Sequence, residues 1–232
     1  MRYWVALTMV ALAGSAPACA QEAPASAVPS TLAARVEGRT VTHRGEGLTI
    51  RVPAAATYVG GERFNLYGVA DAEIHVYAEA DAQRRLTRLY WIQFESYLPS
   101  AANARYNYAE GNTRYDLWGA ATWLVWGPRR TDSPTRAGSD REHVTGILTR
   151  AGYTIPPEMM NVRMVQILDD PQGTGRGRRE LMMIYSEDLA PTGRTYAELV
   201  QDGRVVTAAW QPLEQPLIQR ATAAFTVERR RR

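Results

Sequence analysis

Asp71 to Tyr97 reads DAEIHVYAEADAQRRLTRLYWIQFESY, and the alternation within this stretch decides the fold. From Asp71 to Asp81, Ala72, Ile74, Val76, Ala78 and Ala80 point one way, and Glu73, His75, Tyr77 and Glu79 point the other. A period of two marks a β-strand. A polar link, Asp81 to Arg85, leads into a second alternating stretch, Leu86 to Tyr97. One of its rows holds Tyr90, Ile92 and Phe94; the other holds Thr87, Leu89, Trp91, Gln93, Glu95 and Tyr97. Together the two stretches predict a β-hairpin.

Parity constrains the register, because a slip of one residue carries every side chain to the opposite face. With Asp81 to Arg85 as a five-residue loop, Val76 falls opposite Tyr90, Ile74 opposite Ile92 and Ala72 opposite Phe94. The other face then sets His75 opposite Trp91 and Glu73 opposite Gln93. The sequence therefore predicts a single mixed polar and aromatic face holding Glu73, His75, Trp91, Gln93 and Glu95.

Upstream, Arg39 to Arg44, the turn Gly45 to Gly47, and Leu48 to Val52 predict a hairpin that stops at Pro53, which lacks an N–H for a further ladder bond. Tyr58 to Gly61 reads as a turn, Arg63 to Tyr67 as a short strand, and Gly68 as a bulge or bend. Downstream, Ala104 to Tyr108 reads as a weak strand and Glu110 to Thr113 as a turn. Tyr115 to Trp126 reads as a strand buried on both faces and broken near Gly119. Ser139 and Glu142 signal a capping box, Val144, Ile147, Leu148 and Ala151 form an apolar stripe, and Gly152 stands at the C-terminal cap of the same helix. Gly146 inside that helix suggests close approach to a neighbouring strand. Asn161 to Leu168 and Glu180 to Ser186 predict a second hairpin. Its loop, Asp169 to Arg179, precedes a strand rather than a helix, so its glycines read as a mobile loop and not a phosphate cradle. Helices are expected over Thr195 to Gln201 and Pro216 to Thr226.

Helices that interrupt and follow hairpins, with no strand-helix-strand alternation, predict an α+β class: an antiparallel β-sheet built from hairpins with helices packed on one face. A β-barrel or sandwich with helical additions is the alternative.

Met1 and Arg2, the apolar Tyr3 to Leu12, and the small residues Ala18, Cys19 and Ala20 ahead of Gln21 match a secretory signal peptide cleaved after Ala20. Pro17 and Ala16 make a poor lipobox, so lipidation at Cys19 is the lesser expectation. The chain thus divides into a signal peptide (1–20), a flexible lead (21–31), a single α+β domain (32–228) and a basic tail (229–232). The expected location is periplasmic or secreted. Cleavage removes the one cysteine, leaving no disulfide and no thiolate metal site. Every basic residue is arginine, and 27 of them face 24 acidic residues for a net charge of +3, which argues against a nucleic-acid partner. Membrane contact is expected only through a lipid on Cys19 or through the Arg229 to Arg232 tail.

The chain contains no G-x-S-x-G, H-E-x-x-H or C-x-x-C motif, so no catalytic residue, metal or cofactor is implied, and the reading leans away from an enzyme. His43 ends a strand beside a turn and His143 lies in the first turns of the capped helix. His75 differs, because its row carries Glu73 and the partner strand adds Trp91 and Glu95. These four residues are the candidate ligand-binding set, since carboxylates beside an imidazole can hold a ligand or exchange protons. A plain solvated face is the simpler use of the same residues. The expected role is an exported envelope protein acting through contacts with another envelope protein. A binding protein for a small or polymeric ligand and a hydrolase are the alternatives.

Overall fold

The computed structural model describes residues 31–230, so the expected signal peptide with Cys19, the expected lead as far as Ser30, and Arg231 and Arg232 lie outside the described residues. Strands β1 (Ala34–Glu37), β2 (Thr40–His43) and β3 (Leu48–Arg51) form a meander, followed by a longer one of β4 (Thr57–Leu66), β5 (Ala70–Ala80) and β6 (Leu86–Tyr97). Then come β7 (Tyr106–Asn107), β8 (Thr113–Leu117), β9 (Ala120–Arg130) and helix α1 (Asp140–Arg150). After α1 the chain forms β10 (Glu158–Ile167), β11 (Arg176–Gly177) and β12 (Arg179–Asp188). It ends with α2 (Tyr196–Leu199), β13 (Val200–Gln201), β14 (Arg204–Val205), α3 (Thr207–Ala223) and β15 (Thr226–Arg229).

Seven strands form one sheet in the order β4-β5-β6-β12-β10-β9-β8, and four form another in the order β1-β2-β3-β15. All the pairings within both sheets are antiparallel. The protein is thus rich in antiparallel sheet with added helices, and it is not a closed barrel.

The five-residue loop expected between β5 and β6 is present, with Ala80 opposite Leu86. One step further in, Glu79 pairs with Arg88, so Thr87 has no partner and forms a one-residue bulge. Every later pairing is displaced by one: Val76 faces Trp91, His75 faces Ile92 and Ile74 faces Gln93. The expected pairings of Val76 with Tyr90 and His75 with Trp91 are therefore incorrect, as is the single mixed face built on them.

The displaced register divides the apolar side chains between two cores, one on each face of the large sheet. Ala72, Ile74 and Val76 share a face with Trp91 and Met182, covered by Val144, Ile147 and Leu148 of α1. Tyr77, Ile92, Phe94 and Met183 occupy the opposite face, covered by Val41, Leu48 and Ile50 of the small sheet and by Leu217 and Ala221 of α3. Helices on one face alone do not describe this arrangement, because a sheet apolar on both sides must be covered on both sides. We call these the helix face and the sheet face.

The signals around α1 hold. Ser139 Oγ accepts from the Glu142 N–H at 3.2 Å, and Glu142 reaches back to the Gly138 N–H at 2.6 Å, one residue beyond the usual capping-box partner. Gly152 caps the other end with φ of +76°. The close approach expected of Gly146 belongs instead to Gly60 on β4, where a Cβ would lie 3.2 Å from Ile147 Cγ2.

Other boundaries moved for identifiable reasons. Tyr58 to Gly61 is not a turn but part of β4, with its own bulge between Tyr58 and Gly60. Trp118 and Gly119, both with positive φ, make a tight turn, so the expected single broken strand is the β8–β9 hairpin. The Asp169 to Arg179 segment contributes β11, which pairs with β7, and the Asp169 carboxylate accepts from the N–H groups of Arg178 and Arg179. Helix α3 starts nine residues before Pro216 and contains both Pro212 and Pro216. Each proline removes one ladder donor, so the carbonyls of Ala208 and Pro212 lose their i+4 partners, and the helix is kept by the packing of Trp210, Leu217, Ile218 and Ala221. Arg229 lies in β15 rather than in a tail, and the Arg230 N–H donates to Gly47 O at 2.8 Å.

Ile147 is 5% exposed and sits where α1 meets β4 and β5. Ile147→Ala should therefore lower the unfolding free energy by about 2–5 kcal/mol in urea denaturation. An unchanged midpoint would show that α1 lies free of the core.

Candidate functional site

The four sequence candidates are all buried, and the register separates them into two pairs on opposite faces. Glu73 and His75, 3% and 0% exposed, project from the sheet face of β5. His75 Nε2 lies 2.9 Å from Glu73 Oε1, and the Ala33 and Ala34 N–H groups donate to the same carboxylate at 2.5 and 2.8 Å. The Tyr58 hydroxyl lies 3.4 Å from His75 Nδ1. Gly61 makes room for this stack, because a Cβ there would stand 2.6 Å from the Tyr58 hydroxyl and 2.8 Å from Ile74 O. Burial pushes the Glu73 carboxyl up, but hydrogen bonds from His75 and the two amides outweigh it, and its pKa lies below the usual carboxylate value. Internal partners thus occupy this pair, which fixes the start of β1 against the large sheet.

Trp91 and Glu95 project from the helix face of β6, where the structure adds residues that sequence reasoning did not single out. The Trp91 indole N–H donates to Gln93 Oε1 at 3.0 Å, Gln93 Nε2 donates to Glu95 Oε2 at 2.6 Å, and the Tyr106 hydroxyl donates to Glu95 Oε1 at 2.6 Å. Directly across the ladder from Glu95 stands Glu180 of β12, only 2% exposed. Tyr108 hydrogen-bonds to Glu180, while Glu180 Oε2 and the nearby Arg163 Nε are buried without partners among the described residues.

Two buried carboxyls placed side by side cannot easily both ionise. Burial, opposed by hydrogen bonds from Tyr106 and Gln93, leaves the Glu95 pKa raised. Burial and then the charge of Glu95 push Glu180 up to about 8. Asp140, in the first turn of α1, is also raised, chiefly by burial. Among the described residues, no group of three or more His, Cys, Asp or Glu side chains is placed to hold a metal ion.

Trp91 also lines a groove between α1 and the sheet that encloses about 350 Å³. Its walls are mainly apolar, with Val144 and Leu148 from α1 and Leu89, Met159 and Ile184 from the strands. Arg129 from β9 and Arg141 from α1 stand on its margin. The Arg141 guanidinium donates to Thr131 O at 2.5 Å. Arg129 has no hydrogen bond or ion pair among the described residues; desolvation and then the like charge of Arg141 lower its pKa. A volume in the roughly 300–1,000 Å³ range, apolar walls and a few convergent polar groups are the usual features of a small-molecule site.

The sequence carried a signal for Glu180, a lone carboxylate opening the doubly buried run Leu181 to Tyr185, but none that would place Arg129 beside Arg141. The raised Glu180 pKa gives a sign that can be measured. A carboxyl whose folded pKa exceeds its unfolded value contributes full stability below the unfolded value, near 4.5, and loses it as pH rises towards about 8. Each unit of such a shift corresponds to about 1.4 kcal/mol. Glu180→Gln should therefore flatten the decline in stability between these limits and leave the variant more stable than the parent at the upper end. A parallel decline in both proteins, followed by chemical denaturation, would show that Glu180 ionises freely.

Comparison with protein-family models, with curated proteins and with solved structures found no match to this chain.

Proposed function

We propose that this is an exported, non-enzymatic envelope protein that binds a small amphipathic anion, a carboxylate with an apolar body, in the groove beneath α1. The apolar walls bury the body, and Arg129 and Arg141 meet the charged head. One observation carries the reading: Arg129, placed beside a second guanidinium, makes no hydrogen bond or ion pair among the described residues, and the Asp140 carboxylate acts on it only through space. A bound anion would relieve that repulsion and supply charge-assisted hydrogen bonds, each worth about 1.5–3 kcal/mol.

Export rests on the signal-peptide pattern of Met1 to Ala20. Periplasmic or secreted location suits a protein that handles an amphipathic molecule outside the cytoplasm. The groove supports ligand binding over a role confined to protein contacts. A hydrolytic use of Glu95 and Glu180 has less support, because the cavity that both of them line encloses only about 150 Å³, against about 350 Å³ for the groove.

Calorimetric titration with decanoate and decanol, which share a chain length and differ in charge, tests the reading. Decanoate should bind saturably and at least about ten-fold more tightly than decanol, corresponding to one charge-assisted contact. Arg129→Met should remove that preference while retaining the fold. Equal affinity for the two compounds, or no binding of decanoate, would overturn it.

A further inference from the structure

We propose that the groove selects an acyl anion with a hydroxyl close to its carboxylate, on the third carbon, and that Asn161 and Ser186 recognise that hydroxyl. This rests on the anion-binding reading of the groove and adds the class of its ligand.

The strand register orders the floor of the groove by polarity. Asn161 of β10 stands directly opposite Ser186 of β12, which stands directly opposite Leu89 of β6. Arg129 of β9 stands opposite Met159, two residues before Asn161 and therefore on the same face. Arg129, Asn161, Ser186 and Leu89 all line the groove, and the next row along the strands adds Ile184 and Trp91. From β9 to β6 the floor thus offers a guanidinium, an amide, a hydroxyl and then apolar side chains, at a strand spacing of about 4.8 Å.

The amide and the hydroxyl in the middle of this series are not used by the fold. Neither the Asn161 side chain nor the Ser186 hydroxyl has a hydrogen-bond partner among the described residues. Ser186 is only 7% exposed, and it is the one buried polar residue on the groove lining. The Thr131 hydroxyl and Asp132, also on the lining, are engaged elsewhere: the first donates to Pro156 O at 2.5 Å, and the second accepts from Arg130 Nε at 2.9 Å. Buried polar side chains in folded proteins have partners as a rule, so a free pair on a cavity wall marks a place where a ligand supplies them.

A hydroxyl both donates and accepts, so a single ligand hydroxyl can accept from the Asn161 amide N–H and donate to Ser186 Oγ. An alkyl chain can do neither, and a carboxylate can only accept. With the carboxylate over Arg129 and the chain over Leu89 and Trp91, the hydroxyl falls between them, about one strand spacing from the carboxylate. A hydroxyl on the third carbon meets that distance, and one at the far end of the chain does not.

The experiment is a calorimetric comparison of decanoate, each enantiomer of β-hydroxydecanoate, and ω-hydroxydecanoate, whose hydroxyl is at the far end. The parent protein should bind one enantiomer of the β-hydroxy acid about ten-fold more tightly than decanoate, the scale of one or two net hydrogen bonds. The ω-hydroxy acid should bind no more tightly than decanoate, because its hydroxyl would lie against apolar side chains. The double variant Asn161→Ala, Ser186→Ala should lose the preference and bind decanoate and the β-hydroxy acid alike. Melting curves establish that the variant is folded, and the comparison of ligands on the parent needs no variant.

Equal affinity of the parent for decanoate and both β-hydroxy enantiomers, or an equal gain from ω-hydroxydecanoate, would overturn the inference while leaving the groove as an anion site. A preference that survives in the double variant would place the hydroxyl elsewhere and overturn it also. Absence of binding by every one of these acids would instead remove the groove reading, and this inference with it.

Discussion

The single unpaired residue at Thr87 is the constraint on which the rest of the structure depends. A sheet side chain has two possible directions, so one extra residue in a strand exchanges the faces of everything beyond it. Before the bulge, Ala80 faces Leu86 as the loop length requires; beyond it, Ile74 faces Gln93 and Glu73 faces Phe94. The exchange places polar residues on both faces of the hairpin and apolar residues beside them. Neither face can then be left to water, and both acquire a cover. The small sheet with α3, and α1 on the opposite side, are the two covers.

Burying charged side chains in this way is costly unless each is hydrogen-bonded or neutralised. The two faces meet the requirement differently. On the sheet face, Glu73 is surrounded by donors, with His75 and two backbone N–H groups on one carboxylate, and its charge is stabilised. On the helix face, Glu95 has two donors while Glu180 has an oxygen with none, so protonation of Glu180 is the remaining way to lower the cost. The first arrangement fixes β1 in place and resists acid only until Glu73 is protonated. The second is poised nearer neutrality, and its hydrogen-bonded row runs from Glu95 through Gln93 to Trp91 in the wall of the groove.

Much of the architecture was legible wherever a signal was local. The alternation of Asp71 to Tyr97, the Ser139 cap and the Gly152 stop each act within a few residues, and the structure follows them. The consecutive apolar residues Leu181 to Tyr185 mark a central strand, since apolar side chains on both faces require covers on both, and β12 stands fourth of the seven. What local patterns could not supply was the consequence of a bulge, because Thr87 is an ordinary strand residue whose lack of a partner is decided by the opposite strand. For the same reason Tyr58 to Gly61 resembled a turn: its glycines answer to Ile147 and His75 across the fold, not to backbone reversal. Within the candidate site, Trp91 and Glu95 project from the face opposite Glu73 and His75. Glu180 and Arg129 join them only through strand pairing and the position of α1.

The most direct measurement is the set of cross-strand nuclear Overhauser contacts between the backbones of β5 and β6. The structure predicts contacts joining Ile74 to Gln93, His75 to Ile92 and Val76 to Trp91, with Thr87 lacking a counterpart. Contacts joining Ile74 to Ile92 and Val76 to Tyr90 would contradict it, since, with β6 held by β12, they would turn Glu73 and His75 to the face of Trp91 and dissolve the clamp on β1.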